Sequence, residues 1–168
     1  MSVITSGAVA KHVSFERERG VYEVQVTPDV AHFVVTVASD SDRPENISRV
    51  FLDMSESSIP IFFIKLHRAA VSFAVQGDRM RAAEICLKEH MWDFSMRRDL
   101  ALVSVIASNM RDLTGCMVAI ADALQRASAR LYGVSDSHTS VQCLINSDRT
   151  AAALNELKLT FHLEDSLG

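Results

Sequence analysis

The sequence contains little cysteine. It has only three such residues, Cys86, Cys116 and Cys143, and no two of them share the CxxC spacing. An odd number without that spacing excludes a disulfide framework and a zinc site built on cysteine pairs. The histidines also show no ligand spacing. We therefore predict reduced thiols, most of them buried, and no metal.

Positive charge is also scarce, since 17 Lys and Arg residues stand against 21 Asp and Glu residues and give a net charge of -4. Nucleic-acid binders need clustered Lys and Arg, so nucleic acid is excluded as a partner. The chain has no apolar run of roughly 18 residues, the length that spans a membrane. Its first ten residues, MSVITSGAVA, lack the basic start and long apolar core of a signal peptide. We expect a cytoplasmic protein without a membrane partner.

Catalytic motifs are missing as well. There is no phosphate-binding loop of the GxxxxGK type and no Ser-His-Asp arrangement. With 48% hydrophobic and 23% charged residues, the 168-residue chain is nevertheless typical of a globular protein with a substantial core. These features predict a folded chain that is not an enzyme by itself.

The most informative stretch covers residues 100–145. Residues 100–107 form an apolar run of strand length, which favours a strand buried in a sheet. A polar loop follows, and apolar residues then recur at Leu113, Met117, Ile120 and Leu124, which predicts a helix lying on that sheet. Asp112 or Thr114 can cap this helix, and Gly115 leaves its backbone open to a ligand. A helix start of this kind suits a carboxylate.

The chain also contains an internal repeat. The strand beginning at Ala31 corresponds to the strand at Leu100, and Asp78-Arg79 recurs 70 residues later as Asp148-Arg149. Each half predicts the order βαββαβ, an α+β ferredoxin-like unit with an antiparallel sheet. In the second copy we predict a helix to about residue 157 and a last strand over residues 159–163. Residues 22–26 alternate like an edge strand.

The same residues resemble the regulatory region of aspartokinases, a tandem of ACT domains. The stretches that carry the resemblance are ALVSVIASNMRDLTGCMVAIADAL and VSDSHTSVQCLI in the second half, and AHFVVTVASDSDRPENISRVF in the first. The opening VITSGAVAKHVSF resembles the connector that follows the kinase domain. The resemblance implies a connector with short edge strands over residues 1–30 and ACT domains over residues 31–98 and 99–168. The Lys-Phe-Gly-Gly segment of the kinase domain is absent from the sequence.

The resemblance further implies a homodimer that works with a catalytic aspartokinase domain or subunit. Its effector would be an amino acid such as lysine, threonine or diaminopimelate, and no other cofactor is implied. In the second half, the ligand would be held by the loop that leads into the helix, by the first turn of that helix, by the start of the next strand and by the turn after that strand. In the first half, it would be held by the equivalent loop. These residues are Arg111, Asp112, Leu113, Thr114, Gly115, Cys116, Arg130, Leu131, Ser137, His138, Asp40 and Asp42.

Three departures from the family pattern qualify these expectations. Glu45 stands where the family has Gly after Asp-Arg-Pro, which predicts a weak or lost first-half site. His138 replaces a common Glu and Arg130 replaces a common Asn, so a second ammonium on the ligand is disfavoured. A dimerisation scaffold with degenerate pockets is the alternative function.

Overall fold

The computed structural model describes residues 20–37, 42–110 and 112–163 of the chain. These ranges hold six strands and four α-helices, with a short 3₁₀ turn before each of the two even-numbered helices. The elements in chain order are β1 (Val21–Thr36), α1 (Arg43–Glu56), β2 (Phe62–Leu66), β3 (Ala70–Gln76), α2 (Met80–Glu89), β4 (Phe94–Ala107), α3 (Leu113–Arg126), β5 (Leu131–Asp136), β6 (Ser140–Asn146) and α4 (Thr150–Thr160). No helix within these ranges is long and apolar enough to cross a membrane.

All strand pairs are antiparallel, and the strand order is β2-β3-β1-β4-β6-β5. The two central strands, β1 and β4, are long enough to serve two four-stranded arrays. In the first array, residues 30–36 of β1 lie between β3 and residues 94–97 of β4. In the second array, residues 100–106 of β4 pair with β6, while β1 pairs along β4 from Val21 to Thr27. The predicted α+β class with two ferredoxin-like units is confirmed.

The last predicted strand, over residues 159–163, is wrong. Leu159 belongs to the final turn of α4, and Phe161 follows the helix directly. Leu157 and Phe161 both pack on the second-unit core, and their spacing of four residues is that of one helix face. The short strand predicted near Tyr22 is present as the beginning of β1, and it occupies the remaining edge of the second array.

The structure repeats with the 70-residue period predicted from the sequence. Helices α1 and α3 begin at residues 43 and 113, and strands β3 and β6 begin at residues 70 and 140. Asp29 and Asp99, also 70 apart, both have positive φ angles of 53° and 59°. These residues bend β1 and β4 where each strand passes from one array to the other, and Asp tolerates this conformation better than most residues. The division into domains at residues 30 and 98 stays a prediction.

The helices cover the outer faces of the two arrays. One core lies between the first array and helices α1 and α2, and another lies between the second array and helices α3 and α4. The inner faces share a third cluster, formed by Val30, Phe63, Ala74, Leu100, Leu102 and Leu144. Phe63 of β2 lies against Gly133 of β5, although these strands stand at opposite ends of the sheet order. The sheet therefore folds back so that its two halves face each other.

Candidate functional site

The start of α3 is organised by Asp112. Its Oδ1 accepts a hydrogen bond of 3.0 Å from the backbone N–H of Gly115, and its carbonyl oxygen accepts one of 3.0 Å from Cys116. Asp112 is therefore the N-cap, one of the two caps predicted. The backbone amides of Leu113 and Thr114 have no acceptor within the helix, because the first turn of a helix lacks preceding carbonyls. At the helix start predicted to bind a carboxylate, these are the two backbone amides that the Asp112 side chain leaves available.

Gly115 makes this cap possible. A Cβ atom at this position would lie 2.3 Å from Oδ2 of Asp112, too close for any side chain to be added without displacing the carboxylate. Its φ is not positive, so the need for glycine comes from this close approach and not from the backbone conformation.

The first unit provides a comparison at the equivalent positions. Asp42 precedes α1 as Asp112 precedes α3, and Glu45 takes the place of Gly115. The side chain of Asp42 makes no capping hydrogen bond to α1. The Cβ of Glu45 gives a physical reason, since it occupies the space that the capping carboxylate uses in the second unit. Asp40 and Arg111, two of the predicted site residues, lie outside the described residues.

A cavity of about 330 Å³ opens beside the start of α3. It lies between the beginning of β1, the loop after β4 and the end of α4. The lining is mostly apolar, and Asp112 is the one charged residue among the described residues that form it: Gly20, Val21, Ala107, Asn109, Met110, Asp112, Gly115, Cys116, Ala119 and Phe161. The cavity can accept one positively charged group together with an apolar body.

The cysteines near this cavity do not provide a nucleophile. Burial, together with the nearby Asp112 carboxylate, raises the pKa of the Cys116 thiol. Burial and the neighbouring Cys116 raise the pKa of Cys143 to about 12. Both stay protonated near neutral pH, and a protonated thiol is a poor nucleophile. Cys86 and Cys143 are buried and all three cysteines are free, as the sequence predicted. Among the described residues, no cluster of His, Cys, Asp and Glu could hold a metal ion.

Ser137 and His138 lie in the turn between β5 and β6, next to the loop that precedes α3. The backbone N–H of Met110 donates a hydrogen bond of 2.8 Å to the carbonyl of His138, which joins the two segments. The hydroxyl of Ser137 accepts from the backbone N–H groups of Thr139 at 3.3 Å and Ser140 at 3.1 Å. Ser137 therefore shapes its own turn. Neither Ser137 nor His138 lines the cavity.

Arg130 and Leu131 lie at the opposite end of β5. The backbone N–H of Arg130 donates a hydrogen bond of 2.7 Å to Oδ1 of Asn146, and its guanidinium lies 5.4 Å from the centre of the Tyr132 ring. A strand rises about 3.3 Å per residue, so β5 separates Arg130 from the β5–β6 turn by roughly 20 Å. These two residues cannot contact a ligand held by Asp112 of the same chain.

Two parts of the lining were missed by the sequence interpretation. Phe161 was assigned to a strand, and residues 20–21 were assigned to the connector. The spacing of Leu157 and Phe161 was the available signal for the first, because it continues the apolar face of a helix. Sequence offers no comparable signal for the second, because its position depends on the pairing of Val21 with Ala107, 86 residues away.

The arrangement can now be compared with known proteins. The profile of the ACT domain family matches residues 95–158. Those residues are therefore similar in sequence to an ACT domain. The match covers nearly all of β4, then α3, β5, β6 and most of α4, and so includes the Asp112 cap. Gly20, Val21 and Phe161, which complete the lining of the cavity, lie outside the matched segment.

The comparisons also confirm the resemblance to aspartokinases. Aspartokinase 1 of Bacillus subtilis (strain 168) is 24% identical over 162 residues, which are 96% of this chain but only 40% of that protein. The regulatory subunit of aspartate kinase from Thermus flavus superposes with a TM-score of 0.75 at 20% identity, over 84% of this chain and 99% of that one. A structure of aspartokinase alpha and beta subunits gives a TM-score of 0.76 at 19% identity, over 85% of this chain and 99% of the other. The structural likeness shows a common fold that includes both units.

Proposed function

We propose that this chain is the regulatory ACT-domain pair of an aspartokinase, without catalytic activity of its own, and that it binds an amino-acid effector at the start of α3. The observation that carries the proposal is the cavity of about 330 Å³ beside Asp112, because the helix start capped by Asp112 lies inside the segment that matches the ACT family. Such a chain would exert feedback control on the synthesis of amino acids such as lysine, threonine and methionine.

The lining of the cavity, together with the adjacent Leu113 and Thr114 at the start of α3, offers each interaction that a free amino acid needs. The Asp112 carboxylate can accept hydrogen bonds from an α-ammonium group. The amides of Leu113 and Thr114 can donate to the α-carboxylate, which is also attracted by the positive end of the helix. Met110 and Phe161 offer apolar surface to the ligand side chain.

This chemistry favours some effectors over others. Asp112 is the only carboxylate that the described lining contributes, and the α-ammonium takes it. A second ammonium, as in lysine or diaminopimelate, would enter an apolar space without an acidic partner, which is costly. We therefore expect threonine or methionine to bind more tightly than lysine or diaminopimelate.

Regulation requires more than one chain in this proposal. Arg130 and Leu131 are too far from Asp112 to share its ligand, so they would contact the effector bound to another copy in a homodimer. A ligand at such an interface favours one arrangement of the subunits, and a coupling of about 1 to 3 kcal/mol is enough for useful control. The catalytic aspartokinase domain or subunit would respond to that arrangement.

The first unit favours the alternative role of a scaffold. At its helix start the Asp42 side chain makes no capping hydrogen bond, and Glu45 brings a side chain and a negative charge to the position of Gly115. We therefore expect one effector molecule per chain, bound in the second unit.

Isothermal titration calorimetry with threonine, methionine, lysine and diaminopimelate tests the proposal. Asp112→Asn keeps a residue that can cap the helix but removes the charge, and we expect at least tenfold weaker binding. Asp42→Asn is the matched control at the equivalent position, and binding should be unchanged. If none of the four amino acids binds the unmodified chain, the sensing function is wrong and the scaffold role stands.

A further inference from the structure

A second cavity lies between the inner faces of the two arrays. Its volume is about 390 Å³, and it is lined from β1, β2, β3, β5 and the turn after β2. It shares no lining residue with the cavity beside Asp112. The apolar part of its wall includes Val34, Phe63 and Val134.

The polar part of the wall is basic. It contains His32, Lys65 and His67, and no Asp or Glu is present among the described residues that line the cavity. Nε2 of His32 is buried and has no hydrogen-bond partner within the described part of the chain. Nε2 of His67 lies 2.9 Å from the hydroxyl of the buried Ser72.

The positive character of this space affects the histidine inside it. Burial, and then the charges of His67 and Arg97, lower the pKa of His32. Lys65 forms no ion pair with a described residue, and its Nζ lies 5.9 Å from the centre of the Phe63 ring. The neighbouring His67 and Arg97 thus disfavour a proton on His32. The described lining supplies no carboxylate to pair with the basic groups.

The internal repeat shows that the fold does not need these groups. The positions 70 residues later than His32, Lys65 and His67 hold Leu102, Ser135 and Ser137. The strand registers support this equivalence, because His32 pairs with Ala74 as Leu102 pairs with Leu144, and Lys65 pairs with Ser72 as Ser135 pairs with Gln142. The same architecture is thus built in the second unit without a cationic residue at any of the three positions.

We propose that this inter-sheet cavity binds a small organic anion through His32, Lys65 and His67. The anionic group is a carboxylate or a phosphate, and either would place negative charge beside basic groups that have no carboxylate partner in the described lining. Ser72 and the hydroxyl of Tyr132 can complete its hydrogen bonds, and the apolar wall can contact the rest of the ligand. The volume suits a molecule of metabolite size. This site is separate from the amino-acid site and does not depend on it.

Nuclear magnetic resonance of the histidine ring C–H groups tests this inference on the full chain. Inorganic phosphate and succinate are titrated in parallel at constant ionic strength and pH 7.5. We expect one or both anions to shift the signals of His32 and His67 saturably, while those of His90 and His162 stay in place. A response to phosphate alone or to succinate alone identifies the anionic group that the site prefers.

Three variants make the test specific. His32→Leu and Lys65→Ser each install the residue that the second unit carries at the equivalent position, so both should fold, as circular dichroism would verify. Either one should weaken anion binding at least tenfold. Arg81→Ser removes one positive charge from the exposed surface of α2 and should leave binding unchanged. The inference is overturned if neither anion gives a saturable shift, or if Arg81→Ser weakens binding as much as Lys65→Ser does.

Discussion

The geometry at the start of α3 predicts an energetic coupling between Asp112 and Gly115. Removing the cap with Asp112→Ala should destabilise the protein by about 1 kcal/mol, the usual cost of losing an N-cap aspartate. Gly115→Ala acts through two opposing effects. Alanine favours the helix by up to about 1 kcal/mol relative to glycine, but its Cβ would lie 2.3 Å from Oδ2 of Asp112 and displace the capping carboxylate. The net change should be close to zero.

The double variant separates the two effects. With alanine already at position 112 there is no cap to lose, so Gly115→Ala should stabilise the protein by its full gain in helix propensity. The effect of Gly115→Ala should thus differ between the two backgrounds by about 1 kcal/mol, whatever the propensity gain at this position is. Urea unfolding followed by circular dichroism measures all four proteins, and the midpoints are comparable if the slopes agree.

The first unit supplies the control for this cycle. Asp42 makes no capping hydrogen bond to α1, so the energies of Asp42→Ala and Glu45→Ala should add. The reasoning about Gly115 is refuted if Gly115→Ala has the same effect, within about 0.5 kcal/mol, with aspartate and with alanine at position 112.

Three further predictions concern the packing and titration of the sheet. Gly133→Ala would place a Cβ 3.1 Å from the Phe63 ring and should destabilise the protein by about 1 kcal/mol through overpacking. A Cβ at Gly20 would meet nothing within 4 Å, so Gly20→Ala should leave the stability unchanged. Urea unfolding midpoints of the two variants check this difference. Burial and two neighbouring basic side chains hold the pKa of His32 below 6.5, so the unfolded chain binds more protons and stability should fall as the pH drops below 6.5. His32→Leu should flatten this dependence in urea midpoints measured from pH 8 to pH 5, and an unchanged slope would contradict the assignment. Cys143, whose pKa is raised to about 12, should not react with a disulfide reagent at pH 8 until urea unfolds the protein, and a reaction in the native state at the rate of a free thiol would show that it is accessible.

Most of the fold could be predicted from local patterns. The apolar run at residues 100–107 and the alternation over residues 71–75 each carry enough signal to identify a strand, and the 70-residue repeat then fixes the order of elements in both units. The continuity of β1 and β4 could not be predicted in the same way. The strands at Ala31 and Leu100 were each interpreted as beginning there, whereas the chain bends at Asp29 and Asp99 and continues through both positions. Which array each half joins is decided by pairing between distant segments, which local pattern does not encode.

The candidate site was predicted only in part, because local sequence patterns show its helix start but not the contacts between distant segments. The Asp112 and Gly115 positions are neighbours in sequence, so their shared helix start was visible, and the turn at Ser137 and His138 lies beside it. The sequence offered both Asp112 and Thr114 as caps, and the choice of Asp112, which occupies the Gly115 amide, depends on a side-chain conformation that the sequence does not decide. The basic inter-sheet cavity was missed entirely, because His32 and Tyr132 come from strands 100 residues apart and meet only when the sheet folds back.

The repeat offers a way to separate what the fold requires from what function requires. Where the two units carry similar residues at equivalent positions, as at Asp29 and Asp99 or at Val71 and Val141, the shared backbone bend or core explains both. Where they differ, the shared backbone alone does not explain the choice, and the surroundings of each position decide it, as packing decides Phe63 and Gly133. Two differences of this kind are Glu45 in the first unit at the position of Gly115 in the second, and His32 in the first at the position of Leu102 in the second. Gly115, Glu45 and His32 each line a cavity. The proposed amino-acid site of the second unit and the proposed anion site, whose basic wall lies mainly in the first unit, both depend on such differences. Exchanging residues between equivalent positions should therefore move ligand binding while leaving the fold in place.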